Sequence, residues 1–350
     1  MFFSQKSKGY FLDFGEHTVL GARTSSAEAP FVVEALRECP TGDPAALAAM
    51  LAQLQPKKNP TGYLHATVGL YPAKRVVRRH SVEPKRLREP GYFSEICTQQ
   101  FRIEQDAYSL FMVSAADGSD LESAKTPTKE VVVCGMANED ATAAQTSLLQ
   151  AGIYPDRIEL GSVATLGAVV DCLAQARSKA SVLVLEIEAE AMHSFIVTAG
   201  GVEASRPIPQ GLNAMIPIVQ KELGLKDEES ARRLFFSNTF DFTGMGPQLV
   251  KKLLKELQSS IGFYEVQTGQ SVSEVLTTQL SPKLQWIETA IASALGIQTL
   301  KFDQAAWLES RQITVREDAG ANLADPRWIG LFALMANYNN SDALVAEEKK

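Results

Sequence analysis

Two stretches of the sequence, about 170 residues apart, have the pattern of a β-hairpin. Residues 10–25 (YFLDFGEHTVLGARTS) and residues 181–211 each begin with a short apolar run, break, and continue into a second apolar or β-branched segment. This pattern predicts a hairpin at the head of each half of the chain. In the first stretch Asp13 ends a strand and Gly15 opens the turn. A glycine lets backbone N–H groups approach an anion and an acid can hold a hydrated cation, so the turn suits a phosphate site.

Length and charge narrow the class of protein. A chain of 350 residues is long enough for two lobes with separate cores. The net charge of −7 is a weak argument against nucleic acid as the main partner. No apolar run approaches the roughly 20 residues that span a bilayer, and the N-terminus lacks the pattern of a signal peptide. We therefore expect a cytoplasmic protein that reaches a membrane only through a partner.

The cysteines and histidines do not have the spacing of metal ligands. The four cysteines are far apart and form no C-x-x-C pair, which favours buried free thiols over ligands or disulfides. They are Cys39, Cys97, Cys134 and Cys172. The four histidines are expected to be structural or solvated, and they are His17, His65, His80 and His193.

Capping residues and apolar periodicity place the helices. Asp43 and Pro44 are predicted to start one helix, and the pattern of residues 138–150 predicts another, ended by Gly152. Between them, residues 63–136 are rich in strand patterns, with a helix expected around 91–100.

The second half continues in the same way. Asp227 is predicted to cap a short helix, and residues 247–264 form a clean amphipathic stripe. Ser281 and Pro282 are predicted to start a helix that ends at Gly296. Residues 297–303 (IQTLKFD) predict the last strong strand.

The order of these segments resembles the PilM family, in the FtsA/PilM branch of the actin-like ATPases. The strongest local matches are AGIYPDRIEL at 151–160, the Arg206, Ile208, Pro209, Gly211 run, KELQSSIGFYEVQTG at 255–269, and DPRWIGLFALM at 325–335. No single motif is specific, so the resemblance rests on order and spacing over nearly the whole chain.

The resemblance implies an α/β, two-lobed actin-like ATPase (ribonuclease H-like) fold. The first lobe would cover residues 1–178 and carry a 1C-type α+β insertion at about 63–152. The second lobe would cover 179–345, and residues 346–350 would form a charged tail.

The resemblance also locates three nucleotide-binding elements, and this sequence departs from each. In the first phosphate loop Asp13 and Gly15 match, but Glu16 and His17 stand where small hydroxyl residues belong, and Leu20 lies near the usual lysine position. The second loop, usually Asp-x-Gly, contains Glu186 and Glu188. The adenosine loop usually has a Gly-Gly pair, whereas residues 276–284 (LTTQLSPKL) contain no glycine.

These departures predict that triphosphate does not bind in the usual way. Carboxylates at Glu16 and Glu188 would face a polyanion, and like charges at about 4 Å repel by several kcal/mol at intermediate dielectric. No cofactor is therefore expected, although ATP and Mg²⁺ would bind if the pocket still functions. The competing interpretation is that the two glutamates turn away or gather a divalent cation.

One dense basic cluster stands out in this acidic chain. Its members are Lys74, Arg75, Arg78, Arg79, Lys85, Arg86 and Arg88. Either they form the solvated face of a sheet, or they contact anionic lipid head groups or an acidic partner peptide. Lys74, Arg75, Arg78 and Arg79 are the candidate contact residues.

The resemblance implies a cytoplasmic scaffold of a type IV pilus or related secretion platform at the inner membrane. It would bind the N-terminal tail of a PilN-like membrane protein, and other platform components, without ATP hydrolysis. The alternative is an actin-like ATPase whose lobe closure regulates assembly. A sugar or acid kinase of the same fold lacks a recognisable catalytic aspartate here. A type II secretion counterpart is also open, and so is head-to-tail assembly of several copies.

Overall fold

The computed structural model describes residues 8–56, 62–119, 121, 129–237, 239–320, 323 and 325–336. The expected charged tail, 346–350, lies outside them. Contacts divide the chain into two compact units. The first contains the described residues of Met1–Ala168, Asp303–Ala324 and Trp328–Lys350, and the second contains those of Val169–Phe302 and Asp325–Arg327.

Runs of strands and runs of helices follow one another along the chain. The strands are β1 (Gly9–Phe14), β2 (Thr18–Thr24), β3 (Phe31–Pro40), β4 (Leu64–Leu70), β5 (Val76–Ser81), β6 (Tyr108–Ser114), β7 (Glu130–Ala137), β8 (Ile153–Leu160), β9 (Ser181–Ile187), β10 (Met192–Thr198), β11 (Gly201–Ile208), β12 (Val272–Thr277), β13 (Gln298–Thr299) and β14 (Ile313–Val315). The α-helices are α1 (Pro44–Leu54), α2 (Tyr92–Glu95), α3 (Asn138–Gln150), α4 (Gly161–Gln175), α5 (Ile216–Glu222), α6 (Glu228–Phe236), α7 (Gly246–Leu249), α8 (Lys251–Thr268), α9 (Trp286–Leu295), α10 (Gln304–Ser310) and α11 (Trp328–Ala336).

The first unit is built on a six-stranded sheet in the order β14-β3-β2-β1-β4-β8. The hairpin predicted at the start of the chain is present, because β1 pairs antiparallel with β2 from Gly9 opposite Thr24 to Phe14 opposite Val19. One face of the sheet packs with α1 into a core that includes Leu12, Val68 and Leu54. Helix α11, buried along its length, contacts β1 and β4. Strand β8 forms one edge, since it pairs with β4 alone in this sheet.

Residues within the predicted insertion form a separate three-stranded sheet, in the order β5-β7-β6. It has its own core, which joins Val131 and Val133 of β7 to Tyr92 and Ile96. The helix expected around 91–100 is the short α2 followed by a π-helical turn, Ile96–Phe101. The chain returns through α3 to β8.

The second unit is built on a five-stranded sheet in the order β11-β10-β9-β12-β13. The second predicted hairpin is β9 and β10, which pair antiparallel with Ile187 opposite Met192. Helices α5 to α9 contribute to one large core on this sheet, with Leu185, Val219, Leu257 and Ile291 among its buried members. No helix within the described ranges is long and apolar enough to cross a bilayer.

The end of the chain returns to the first unit, whereas the sequence interpretation placed residues 179–345 in one lobe. Strand β14 pairs in parallel with β3, with Ile313 opposite Phe31. The sequence patterns predicted neither β3 nor β14 as a strand. The strand predicted at residues 297–303 is confined to Gln298–Thr299.

Candidate functional site

Asp13, the first predicted site residue, lies at the end of β1 and is 1% exposed. The hydroxyl of Tyr71, just after β4, lies 3.4 Å from its Oδ2 atom. Two glycines also approach the carboxylate. A Cβ on Gly69 would lie 2.5 Å from Oδ1, and a Cβ on Gly330 of α11 would lie 2.6 Å from Oδ2. Within the first unit, the space beside this carboxylate is therefore filled by protein.

The turn after β1 is closed by its own hydrogen bonds. The Gly15 backbone N–H donates to the carbonyl of Thr18 at 3.1 Å. The Thr41 hydroxyl donates to the carbonyl of Gly15 at 2.8 Å. Glu16 is exposed and lies 3.5 Å from its neighbour His17. The Gly15 donor would have to leave Thr18 before it could bind a phosphate.

In the second unit, Glu186 lies within β9 and is 1% exposed. It stands opposite His193 of β10, which is also buried. Directly opposite residues of antiparallel strands share a face of the sheet. Glu186 is thus part of the sheet interior rather than of the turn that follows.

Glu188 lies in that turn, and its backbone N–H and carbonyl groups are both hydrogen-bonded within the protein. Its N–H donates to the carbonyl of Ala191 at 2.9 Å, and its carbonyl accepts from the N–H of Leu212 at 2.8 Å. Gly211 lies so close that a Cβ there would overlap the Glu188 carbonyl oxygen. As at Gly15, the donor in this turn already has a partner.

The segment at the expected adenosine loop folds onto the core of the second unit. Leu280 and Leu284 are fully buried members of that core. The N–H and hydroxyl of Thr277 both donate to Glu288 Oε2 at 2.6 Å, which joins the end of β12 to the first turn of α9. Burial raises the pKa of the Glu288 carboxyl, and the hydrogen bonds from Thr277 lower it in part.

The structure separates the basic cluster into buried and exposed residues. Arg75 is only 5% exposed: its Nε donates to Ser162 Oγ at 2.8 Å, its Nη1 donates to the Pro72 carbonyl at 3.1 Å, and its guanidinium lies over the ring of Tyr71. Arg75 is therefore not placed to contact an external partner. Desolvation lowers the pKa of half-buried Arg78.

The other members remain nearer the surface. Arg79 lies 3.1 Å from Glu130, and Arg86 donates to Glu89 and Glu95. Lys74, Lys85 and Arg88 are exposed. The contact hypothesis for Lys74, Arg78 and Arg79 stays a prediction.

The remaining predictions about side chains concern thiols and histidines. All four cysteines are buried and free, which confirms that prediction. In the part of the chain that the structure describes, no three His, Cys, Asp or Glu side chains form a group that could hold a metal ion. Burial lowers the pKa of His80, which lies edge-on to Phe101.

A pocket that the sequence did not predict lies in the first unit, where the small sheet meets the large one. Its volume is about 310 Å³. It is lined by Ser109 and Phe111 of β6, Gly135 and Met136 of β7, Ala141 of α3, Arg157, Ile158, Glu159 and Leu160 of β8, and Val163 of α4. Phe111 is 45% exposed, unusual for a large apolar residue.

The pocket lies along the open edge of β8. Four consecutive residues of the strand, 157–160, line it. Side chains of a strand alternate between the two faces, so a pocket that touches all four must lie at the strand's edge. An edge strand presents backbone N–H and C=O groups that another chain can pair with.

An ion pair forms the polar side of the pocket. Arg157 and Glu159 are paired, and Arg157 Nη2 also donates to the Leu334 carbonyl near the end of α11 at 3.3 Å. Burial raises the pKa of the Glu159 carboxyl, while Arg157 lowers it in part. The pocket therefore combines apolar walls with an ion pair whose acidic member is the more buried of the two.

These two α/β units, with a three-stranded insertion in the first, define an actin-like ATPase fold. A solved structure described as the PilM-PilN type IV pilus biogenesis complex matches with a TM-score of 0.68 and 18% identity, over 95% of this chain and 99% of that chain. This match confirms the fold that the sequence resemblance implied.

Other solved structures match less well. They include the ethanolamine utilization protein EutJ from Carboxydothermus hydrogenoformans (TM-score 0.46, 10% identity, 94% of this chain and 89% of that chain). A Bacteroides thetaiotaomicron protein with an actin-like ATPase fold also matches (TM-score 0.43, 8% identity, 95% and 97%). No protein-family profile and no curated protein match this sequence.

Proposed function

We propose that this chain is a cytoplasmic scaffold of a type IV pilus or related secretion platform, which binds an extended N-terminal segment of a PilN-like membrane protein. The observation that carries the proposal is the pocket at the open edge of β8. The fold it shares with the PilM-PilN complex structure supports the choice of partner. Recruitment to the inner face of the inner membrane would follow from that partner.

The pocket suits an extended peptide better than a compact ligand. A segment that pairs with β8 would gain main-chain hydrogen bonds, and it could place one side chain in the pocket. Phe111 and Ile158 offer apolar contact to that side chain. Buried apolar anchors of this kind dominate the free energy of binding at many interfaces.

The scaffold role is proposed to need no ATP hydrolysis. Support comes from the two turns, where the N–H groups of Gly15 and Glu188 are bonded within the protein. Tyr71 and Gly330 occupy the space beside Asp13, where a cation would be expected. The competing function, a nucleotide-regulated actin-like ATPase, requires both turns to rearrange.

The test requires a bitopic membrane protein encoded next to the gene of this chain, as the proposal predicts. Its cytoplasmic N-terminal segment, as a synthetic peptide, is titrated calorimetrically into the full-length chain. We expect binding, and an affinity about tenfold lower for Phe111→Ala, because the anchor side chain loses its aromatic wall.

Phe263→Ala is the matched control, since Phe263 is an exposed phenylalanine of α8 in the second unit. It should leave the affinity unchanged. Equal losses for both variants, or no binding to the wild-type chain, would refute the proposal.

A further inference from the structure

A second feature of the same edge lies upstream of the pocket. Four side chains from the starts of β4 and β8 form a group, called here the Tyr154 cluster: Tyr63, His65, Tyr154 and Asp156. His65 and Tyr154 are direct neighbours in the parallel register of the two strands. Their rings lie 4.8 Å apart at 34°, and the Tyr63 ring meets Tyr154 edge-on at 6.5 Å.

The cluster is exposed although it is aromatic. Tyr154 is 46% exposed and Tyr63 is 38% exposed. Aromatic side chains usually contribute large buried areas to cores and interfaces. Two tyrosines that remain exposed together, one on the edge strand β8 and one just before its neighbour β4, therefore indicate a contact surface rather than a core.

The cluster also carries a carboxylate. Asp156 Oδ1 lies 2.8 Å from His65 Nδ1, and the Asp156 side chain is 54% exposed. The contact with His65 fixes this carboxylate to the ring that packs against Tyr154, while about half of the Asp156 side chain stays exposed to solvent. Aromatic faces next to a carboxylate attract the guanidinium of arginine or the ammonium of lysine.

Spacing connects the cluster to the pocket. Tyr154 precedes the pocket residue Ile158 by four positions on the same strand. Between Pro155 and Arg157 the register of β8 against β4 shifts, so Tyr154 pairs with His65 and Ile158 with Val68, three positions further on. A strand rises about 3.3 Å per residue, so the two features are about 10 Å apart. An extended segment paired with β8 would cover that distance with about three residues of its own.

We propose that the Tyr154 cluster is a subsite for a basic side chain of the partner segment, three to five residues from the apolar side chain that fills the pocket. The inference rests on the proposed function and adds the chemistry of the partner. The acidic net charge of the chain, −7, favours such a segment over an acidic one.

The experiment is a double-mutant cycle with the same synthetic N-terminal peptide. Each Lys or Arg of the peptide is replaced by Met, one at a time, and each peptide is titrated into wild-type, Tyr154→Leu and Asp156→Asn chains. Asparagine keeps an oxygen that can bond to His65 and removes only the charge. Glu317→Gln serves as the charge-matched control, because Glu317 is exposed and lies outside both features.

We expect one basic residue, three to five positions from the anchor, whose replacement weakens binding to the wild-type chain about tenfold. The same replacement should change binding to the Tyr154→Leu and Asp156→Asn chains by less than about twofold. Added salt should reduce the loss of affinity that this replacement causes with the wild-type chain.

The outcomes separate the two claims. If the wild-type chain binds the peptide and Phe111→Ala weakens it, but no basic residue couples to Tyr154 or Asp156, the subsite is refuted and the proposed function stands. If the wild-type chain does not bind the peptide, both are refuted. Equal coupling to the Glu317→Gln control would also refute the subsite.

Discussion

The turns after β1 and β9 and the open edge of β8 differ in how their polar groups are used. In the turns, the Gly15 and Glu188 N–H groups are bonded to the protein's own carbonyls, and Asp13 is enclosed. At β8, one side of the strand has no neighbouring strand in its sheet and meets a pocket. An actin-like fold can therefore keep its framework while the surface suited to a ligand lies at an edge.

The largest effect is expected from the enclosed region. Arg75→Ala removes the hydrogen bonds to Ser162 and Pro72 and the contact with the ring of Tyr71. Losing a buried, hydrogen-bonded charge should lower the free energy of unfolding by about 3 kcal/mol. Urea denaturation of the variant and the wild-type chain measures this difference in the free energy of unfolding.

Arg88→Ala is the control, because Arg88 is an exposed arginine of the same basic cluster. It should change the free energy of unfolding by less than about 0.5 kcal/mol. Similar values for the two variants would contradict the division of the cluster into buried and exposed members.

A substitution at the open edge of β8 should change the affinity for the peptide rather than the stability of the folded chain. Ser109→Trp places a large side chain at the exposed wall of the pocket. It should weaken peptide binding about a hundredfold, equivalent to about 2.7 kcal/mol, and leave the urea midpoint nearly unchanged. Ser259→Trp on the exposed face of α8 should affect neither. Retained affinity in the first variant would place the peptide elsewhere.

Adding a single methyl group at Gly330 tests whether the carboxylate of Asp13 is enclosed. Gly330→Ala would put a Cβ 2.6 Å from Asp13 Oδ2 and 2.7 Å from the Tyr71 hydroxyl oxygen. Overpacking of this kind should cost about 2 kcal/mol of unfolding free energy.

Gly262→Ala makes the same change in α8, where a Cβ would meet nothing within 4 Å. It should be neutral or stabilise by about 0.5–1 kcal/mol, because alanine favours helix. A neutral Gly330→Ala would show that the space beside Asp13 is open.

The smallest effect concerns pH. Burial raises the folded-state pKa of Glu288 above its ordinary value of 4.5. The folded state then binds this proton more tightly, so the group's contribution to stability is greatest below pH 4.5 and declines as pH rises through the folded pKa. Glu288→Gln should flatten that decline in urea titrations at several pH values, and Glu317→Gln should not. If the stability of Glu288→Gln declined with pH as steeply as that of the wild-type chain, the raised pKa of Glu288 would not be the cause of the decline.

Local signals in the sequence predicted some helix starts but not all. The Ser281 side chain makes no capping hydrogen bond, and the helix predicted from Pro282 begins at Trp286 after a 3-10 turn. Asp43 and Asp227 accept hydrogen bonds from the N–H groups of Ala46 and Ser230, as capping residues do. The segment predicted as one helix over 247–264 is divided into α7 and α8. Helix α8 ends at Thr268 and is capped by Gly269 in a left-handed conformation. Capping chemistry is local, and so the sequence shows it directly.

The sequence did not predict features that depend on residues far away along the chain. Strand β3 contains Glu34, Ala35 and Leu36, which are common in helices, and it is stabilised by pairing with β2 and β14. The pocket joins β6, β7, α3, β8 and α4, so no single segment reveals it. Phe111 gave no clear signal, because it stands in the continuous apolar run LFMV at residues 110–113 and only the structure shows that it is exposed.

The most direct test is a calorimetric titration of the N-terminal peptide into the wild-type chain, with and without saturating Mg²⁺ and ATP. The account predicts one peptide bound per chain, with the same dissociation constant in both buffers and no heat from nucleotide alone. A tenfold change of that constant on adding nucleotide, or nucleotide binding without peptide, would contradict it.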